Sequence, residues 1–197
     1  APLPHRTAEQ AKAEDGGDLQ LTIDAMYQGV LEEELVAAIS RTGAESGLGI
    51  VSDPRTGDIL AMASVPLFDP NDPGMAPAAM RRTRPVTDSF EPGSTFKAVS
   101  LAAVMEEGLA RAQTPVFCEN GALVLANNDT IRDVSPHGIL TMAEVVEKSS
   151  NIGAIKLVRR MEKRDFYEYI RRFGFGTRTG IGLPAESTGL LRGTSTW

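Results

Sequence analysis

Cysteine occurs once, histidine twice and tryptophan once among 197 residues. One cysteine, Cys118, excludes an intrachain disulfide, and with only His5 and His137 to join it a structural zinc site has too few soft ligands. Cys118 is read as a small core or loop thiol, which fits a reducing compartment and equally an exported protein that does without disulfides. No apolar run approaches the roughly 20 residues of a membrane-spanning helix, and the N-terminus lacks a signal-peptide core. If the protein is exported or anchored, the segment responsible is expected to lie outside this sequence. A basic excess is missing too: 20 Lys and Arg stand against 26 Asp and Glu, a net charge of −6, which argues against nucleic acid as a partner.

What remains is an ordinary globular composition, 42% hydrophobic and 23% charged, long enough for one well-cored domain or one large lobe of a bigger one. Residues 1–17, rich in Pro, Ala, Gly and charge without a sustained period, read as a linker or the end of a preceding domain. Order is expected from about Asp18 or Leu19 onward. Asp24 suits an N-cap, and Tyr27, Leu31, Leu35 and Ala38 recur at helical spacing behind it. Two apolar runs flanking Asp53-Pro54-Arg55-Thr56-Gly57-Asp58 predict a hairpin with both strands well buried, on which that helix packs.

Five prolines between residues 65 and 90 predict a long irregular crossing with one helical turn. A helix from Ser94 to about Gly108 follows, stopped by that glycine. The stretch from Cys118 to Gly138 mixes turn residues with short β-like runs. Beyond it come three helices in close succession: one capped by Thr141, one across "NIGAIKLVRRM" and one ending at Gly174. The basic residues among them, Lys156 to Arg172, alternate with Glu162, Asp165 and Glu168 and read as a solvated helical surface.

The chemistry is concentrated in "EPGSTFKAVS". Ser94 and Lys97 sit one helical turn apart, on one face, at the mouth of an apolar helix. A serine hydroxyl needs a base to take its proton as it attacks, and both histidines are poorly placed for that role. A lysine can serve if it is neutral at working pH. That requires an environment disfavouring its charge by about 4 to 5 kcal/mol, within reach of burial beside an apolar wall. Phe96, Val99 and Leu101 are the candidates for that wall. Gly93 lets another chain approach, and the Ser94 N–H can face an oxyanion on a bound carbonyl.

With 12 serines and 5 lysines, chance alone gives about 0.3 Ser-x-x-Lys matches, so position carries the argument more than spacing does. The bland alternative is a serine N-cap with an exposed lysine one turn on. "EKSSNIGA" adds Ser149, Ser150 and Asn151 at the junction of two predicted helices, where a hydroxyl and an amide can relay a proton and hold a substrate amide. Alone, "SSN" reads as a helix cap.

Together, "FEPGSTFK" and "KSSNIG" resemble the Ser-x-x-Lys and Ser-x-Asn motifs of penicillin-binding transpeptidases, serine acyltransferases that cross-link peptidoglycan. "LTID", "DPRTGDILAMASVPLFDPN", "FGFGTRTGIGLPAESTG" and Trp197 are similar to class B penicillin-binding proteins, particularly the division-specific branch. The resemblance covers Asp18 to Trp197. It implies an α+β transpeptidase fold of the penicillin-binding-protein and serine β-lactamase type. Ser94 would be the acylated nucleophile and Lys97 its base. Ser149 would shuttle a proton, and Asn151 would bind both the substrate backbone and Lys97.

The implied partners are a D-Ala-D-Ala stem peptide, β-lactam antibiotics, a cell-wall glycosyltransferase and division proteins, with no cofactor or metal. The implied location is the extracytoplasmic face of a bacterial membrane. That family's third motif, Lys-Thr-Gly or Lys-Ser-Gly on a downstream strand, is absent. Arg-Thr-Gly occurs at 41, 55 and 178, but the first two precede Ser94 and the third belongs to the glycine-rich tail match. The expectation is the N-terminal part of the domain, a helical lobe and the first strands of the antiparallel sheet, with the remainder on a second chain or missing. A serine β-lactamase and a non-catalytic interaction lobe are the competing readings.

Overall fold

The computed structural model describes residues 16–197, and these fall into two compact units divided between Pro85 and Val86. The expected linker lies almost wholly outside the described residues.

In the first unit, helix α1 (Ala25–Thr42) begins where Asp24 accepts hydrogen bonds from the amides of Met26 and Tyr27, and stops at Gly43 in the left-handed conformation. Strands β1 (Gly47–Ser52) and β2 (Ile59–Val65) pair antiparallel with a bulge at Val51/Ser52. Burial is uneven between them. Ala61, Ala63 and Val65 alternate inward on β2, whereas no residue of β1 is fully buried, so only one of the two strands meets the sequence expectation.

The inward face of α1 also differs by one position. Tyr27 is exposed, and Gln28 takes the inner place, donating from Nε2 to Met62 O (3.0 Å) and accepting at Oε1 from Met62 N (2.9 Å). Leu31 and Leu35 do pack on the hairpin. At Gly49 a Cβ would come within 2.7 Å of Leu31 Cδ1, so glycine there lets helix and strand approach. The proline-rich crossing holds a 3-10 turn at Pro73–Met75 and a four-residue helix α2 (Arg84–Thr87).

The second unit is built on helices. A 3-10 turn, Gly93–Thr95, leads into α3 (Phe96–Glu106), whose inner face buries Leu101, Ala103 and Val104. The chain then reverses at Gly108, which has a φ of 67°. Strand β3 (Pro115–Phe117) pairs with β6 (Ile139–Thr141), and β4 (Ala122–Val124) pairs with β5 (Thr130–Arg132) across a turn in which Asn128 has a φ of 66°.

Thr141 and Glu144 form a reciprocal capping box at the start of α4 (Met142–Glu147). After it come α5 (Asn151–Val158) and α6 (Lys163–Arg172). Helix α5 is the innermost element, with Ile152 and Leu157 fully buried against Val104 and Val145. Cys118 lies in this core, fully buried, and its sulfur bounds the space that Gly153 keeps open.

The basic residues of the helical region are exposed apart from half-buried Lys156, as a solvated face should be, and several of them also tether loops. Lys156 donates to Phe117 O (2.8 Å) and pairs with Glu119, and Arg160 donates to Leu109 O (3.1 Å). Arg171 donates to Gly176 O (2.8 Å), and Arg172 stacks over the Tyr169 ring. Periodicity reveals which side of a helix faces outward, but not which loop carbonyls lie within a long side chain's reach.

Candidate active site

Two corners of the second unit meet at the site. The first is the start of α3. Gly93 adopts a φ of 58°, which turns the backbone into the helix, and open space lies where a Cβ would stand, on the lining of the cleft. Phe96 anchors that turn through edge contacts with Phe166 (6.4 Å between centroids) and Phe175 (5.1 Å). Ser94 is exposed, and Lys97 is half-buried one turn further on.

The second corner is the junction of α4 and α5. The two adjacent serines there have opposite duties. Ser150, almost fully buried, caps α5 by accepting from the Gly153 amide (2.9 Å), which is the bland reading of "SSN". Ser149 turns the other way, with a φ of 55°, and presents its hydroxyl to Lys97. Left-handed backbone at a residue with a Cβ costs about 1 to 2 kcal/mol, so this orientation is held by its surroundings. Ser149→Gly should accordingly raise stability by about 1 kcal/mol, while Ser149→Ala, which keeps the Cβ, should not. Denaturant midpoints of the two variants check this, and equal midpoints would count against strain at Ser149.

Lys97 Nζ joins the corners. It donates to Ser94 Oγ (2.9 Å), Ser149 Oγ (3.1 Å) and Asn151 Oδ1 (2.8 Å). Ser94, Ser149 and Asn151, the other three candidates from the sequence, are thus all within reach of the Lys97 nitrogen. An ammonium has three N–H groups and satisfies all three acceptors. A neutral amine has two N–H groups and one lone pair. With Ser149 and Asn151 accepting the two N–H groups, the lone pair is left facing Ser94 Oγ, the geometry a base needs.

Burial pushes the Lys97 ammonium below its ordinary value, and the Asp133 carboxylate opposes that by favouring the charged form. The surrounding cleft, about 390 Å³, is walled by Phe96, Ile131, Ala154 and Ile155. Of the wall expected from sequence, Phe96 is present, but Leu101 belongs to the helical core on another face of α3.

Asp133 is the residue that sequence reasoning missed. It follows β5 and accepts from Ser150 Oγ (2.6 Å), Asn151 N (2.6 Å) and Ile152 N (3.1 Å). Asn151 Nδ2 donates to the neighbouring Arg132 O (3.0 Å), which leaves its second N–H available. The Arg-Thr-Gly triplet at 178 does not line the cleft.

Comparison with known proteins gives this geometry its relatives. Residues 47–196 match the family described as penicillin binding protein transpeptidase domain. Stage V sporulation protein D of Bacillus subtilis is 36% identical over 194 residues, covering 96% of this chain and 30% of the relative. Peptidoglycan D,D-transpeptidase FtsI of Escherichia coli is 35% identical over 180 residues, covering 91% and 30%. The chain therefore spans about 30% of the length of these curated relatives.

Among solved structures, the transpeptidase domain of penicillin-binding protein 3 from Burkholderia pseudomallei superposes with a TM-score of 0.79 at 31% identity, over 90% of this chain and 49% of that one. A structure described as a peptidoglycan glycosyltransferase from Burkholderia ambifaria gives a TM-score of 0.80, again at 31% identity, over 90% and 52%. A family match across most of the sequence, an α+β architecture shared with solved transpeptidase domains and relatives about a third identical along nearly the whole chain make this protein a member of the penicillin-binding protein transpeptidase family.

Proposed function

We propose that the chain carries the nucleophilic half of a peptidoglycan D,D-transpeptidase that cross-links stem peptides through a serine acyl-enzyme and is trapped by penicillins. The observation that supports this most directly is the single lysine nitrogen shared by Ser94, Ser149 and Asn151.

Ser94 Oγ attacks the carbonyl carbon between the two D-Ala residues of a stem peptide as its proton passes to the Lys97 lone pair. The carbonyl oxygen becomes an oxyanion, and the Ser94 N–H at the head of the 3-10 turn is one donor for it. The C–N bond then breaks, and the proton held by Lys97 travels through Ser149 Oγ to the departing amine of the terminal D-Ala. In the second half an amine of a neighbouring stem attacks the ester, loses its proton by the same relay and regenerates Ser94. Asn151 keeps Oδ1 on Lys97 and has one Nδ2 hydrogen left for the substrate backbone. A β-lactam replaces the first acyl donor and leaves no departing amine to make room for the second, so the ester persists.

The name of the Escherichia coli relative supports peptidoglycan D,D-transpeptidation, and the resemblance to the division-specific branch supports a role in septal wall synthesis, at the extracytoplasmic face of the membrane, alongside a glycosyltransferase and division proteins. No helix among the described residues is long and apolar enough to cross a membrane.

The test is covalent. After incubation of the 197-residue chain with benzylpenicillin, intact mass should rise by one penicillin, and peptide mapping should locate it on Ser94. Slow release of the adduct distinguishes a transpeptidase from a β-lactamase. Failure to form an adduct at millimolar penicillin overturns the catalytic reading in favour of a non-catalytic lobe.

A further inference from the structure

Asp133 lies outside both motifs, yet its carboxylate accepts three hydrogen bonds from the first turn of α5. The carbonyl of the preceding residue, Arg132, accepts the side-chain amide of Asn151 (3.0 Å). Asn151 is thereby gripped at main chain and side chain by two consecutive residues from the end of β5. With its N–H and Nδ2 fixed, its Oδ1 has one orientation, and that orientation meets Lys97 Nζ at 2.8 Å. Ser150, pinned by the same carboxylate, fixes the residue behind Ser149.

We propose that Asp133 is a positioning residue. Its carboxylate locks the first turn of α5 so that Ser149 and Asn151 aim Lys97 at Ser94, and its negative charge steadies Lys97 once the lysine has taken the Ser94 proton. This rests on the reading of Ser94 and Lys97 as nucleophile and base.

The neighbouring charges leave that role to Asp133. Lys148, at the end of α4, is paired with Glu147, and Lys156, on α5, is paired with Glu119. Arg132 beside it is exposed, and Glu106 lies at the far end of α3. The charge that acts on Lys97 is the Asp133 carboxylate, which opposes the effect of burial.

A pure helix cap and a cap that is also a counter-charge predict different things when the charge alone is removed. Asp133→Asn keeps the side-chain length and an oxygen that can accept from the Asn151 and Ile152 amides, whereas Asp133→Ser is one bond shorter and gives up that reach; both are neutral. Ser150→Ala deletes one bond to the carboxylate together with the cap on the Gly153 amide, and keeps the charge.

The readout is the titration midpoint of Lys97 in the whole chain, followed by NMR with lysine labelled at Cε and assigned by the signal lost in Lys97→Arg. Removing the carboxylate disfavours the ammonium. The midpoint should move to lower pH by roughly half a unit or more in either neutral variant and stay put in Ser150→Ala. A midpoint unchanged in both neutral variants overturns the counter-charge role, and so does an equal shift in Ser150→Ala.

In penicillin acylation, the acid limb of the rate profile should move in the same direction, and the plateau should fall about tenfold as the aim of Lys97 loosens. A plateau equal to the parent's overturns the positioning role. The titration requires no turnover, so a chain that folds and titrates as stated but takes no penicillin rejects the proposed function while leaving the link between Asp133 and Lys97 intact.

Discussion

Lys97→Met is expected to slow penicillin acylation by roughly 10² to 10⁴-fold, the usual contribution of a positioned general base. Methionine matches the length and flexibility of the lysine stem, so the apolar lining formed by Phe96, Ile131 and Ile155 stays covered. What disappears is the lone pair facing Ser94. The pH profile should change as well as the rate. In the parent, acylation should rise with pH as Lys97 loses its proton, and because burial lowers that pKa the rise should fall below the ordinary lysine range. In Lys97→Met that limb should vanish. Stopped-flow acylation over a pH series measures both, and a variant retaining more than a tenth of the parent rate would exclude Lys97 as the base.

The same substitution carries a stability signature whose sign follows from linkage. Lys97 has a lower pKa folded than unfolded, so between those two values the unfolded chain binds the extra proton. Stability is therefore reduced at pH values below the folded pKa, and the deficit is relieved as pH rises towards the ordinary value of 10.5. Lys97→Met lacks this dependence. The stability difference between parent and variant should shift in the parent's favour as pH increases, even as the variant's activity stays low throughout.

Ile152→Ala is expected to cost about 2 to 5 kcal/mol, lowering the melting temperature by roughly 4 to 20 °C. Ile152 is fully buried in the middle of the helical core, and the space around it has little freedom to collapse. The position before it already requires Asn151, and at the position after it a Cβ would overlap Val145 Cγ2. Its amide also donates to Asp133, so the cavity opens directly beneath the turn that orients Asn151. Acylation should fall along with stability, at temperatures where the variant is still folded. Ile152→Val, which removes one methyl, should cost about 0.5 to 1.5 kcal/mol and leave acylation nearly unchanged. Thermal melts and acylation rates of the pair separate ordinary destabilisation from loosening of the site. Parent-like acylation in folded Ile152→Ala would mean that the site is held independently of the core.

How legible the site was depended on sequence distance. Ser94 and Lys97 were readable because one helical turn joins them, and local geometry is what a sequence encodes most directly. Ser149 and Asn151 were readable as a motif, but which of the two serines meets Lys97 is decided by the φ of 55° at Ser149, which composition does not reveal. Asp133 was not readable, since its contacts to residues 150–152 exist only after the β4–β5 hairpin has closed onto α5.

The fold followed a similar gradient. Caps at Asp24 and Thr141 and the stop at Gly108 act over a few residues and were legible, apart from the tilt of α1. There, Tyr27 and Gln28 both suit a helical spacing, and the polar residue faced inward because two backbone groups of Met62 required partners. The pairing of β3 with β6 was invisible, because three-residue strands are too short to show a period.

That substitution of Gln28 for Tyr27 has a further consequence. On the outer side of β2, Thr22 Oγ1 donates to Ile59 O, the Asp24 amide donates to Leu60 O and the Gln28 carboxamide occupies both polar groups of Met62. A segment of the chain before and within α1 thus takes the place a neighbouring strand would hold. The hairpin consists of β1 and β2 alone among the described residues, so its opposite margin, along Gly47–Ser52, is the side without a strand. Growth of this sheet is therefore directional: a strand that joins it does so beside β1, and the helix that covers the hairpin also closes β2 to extension.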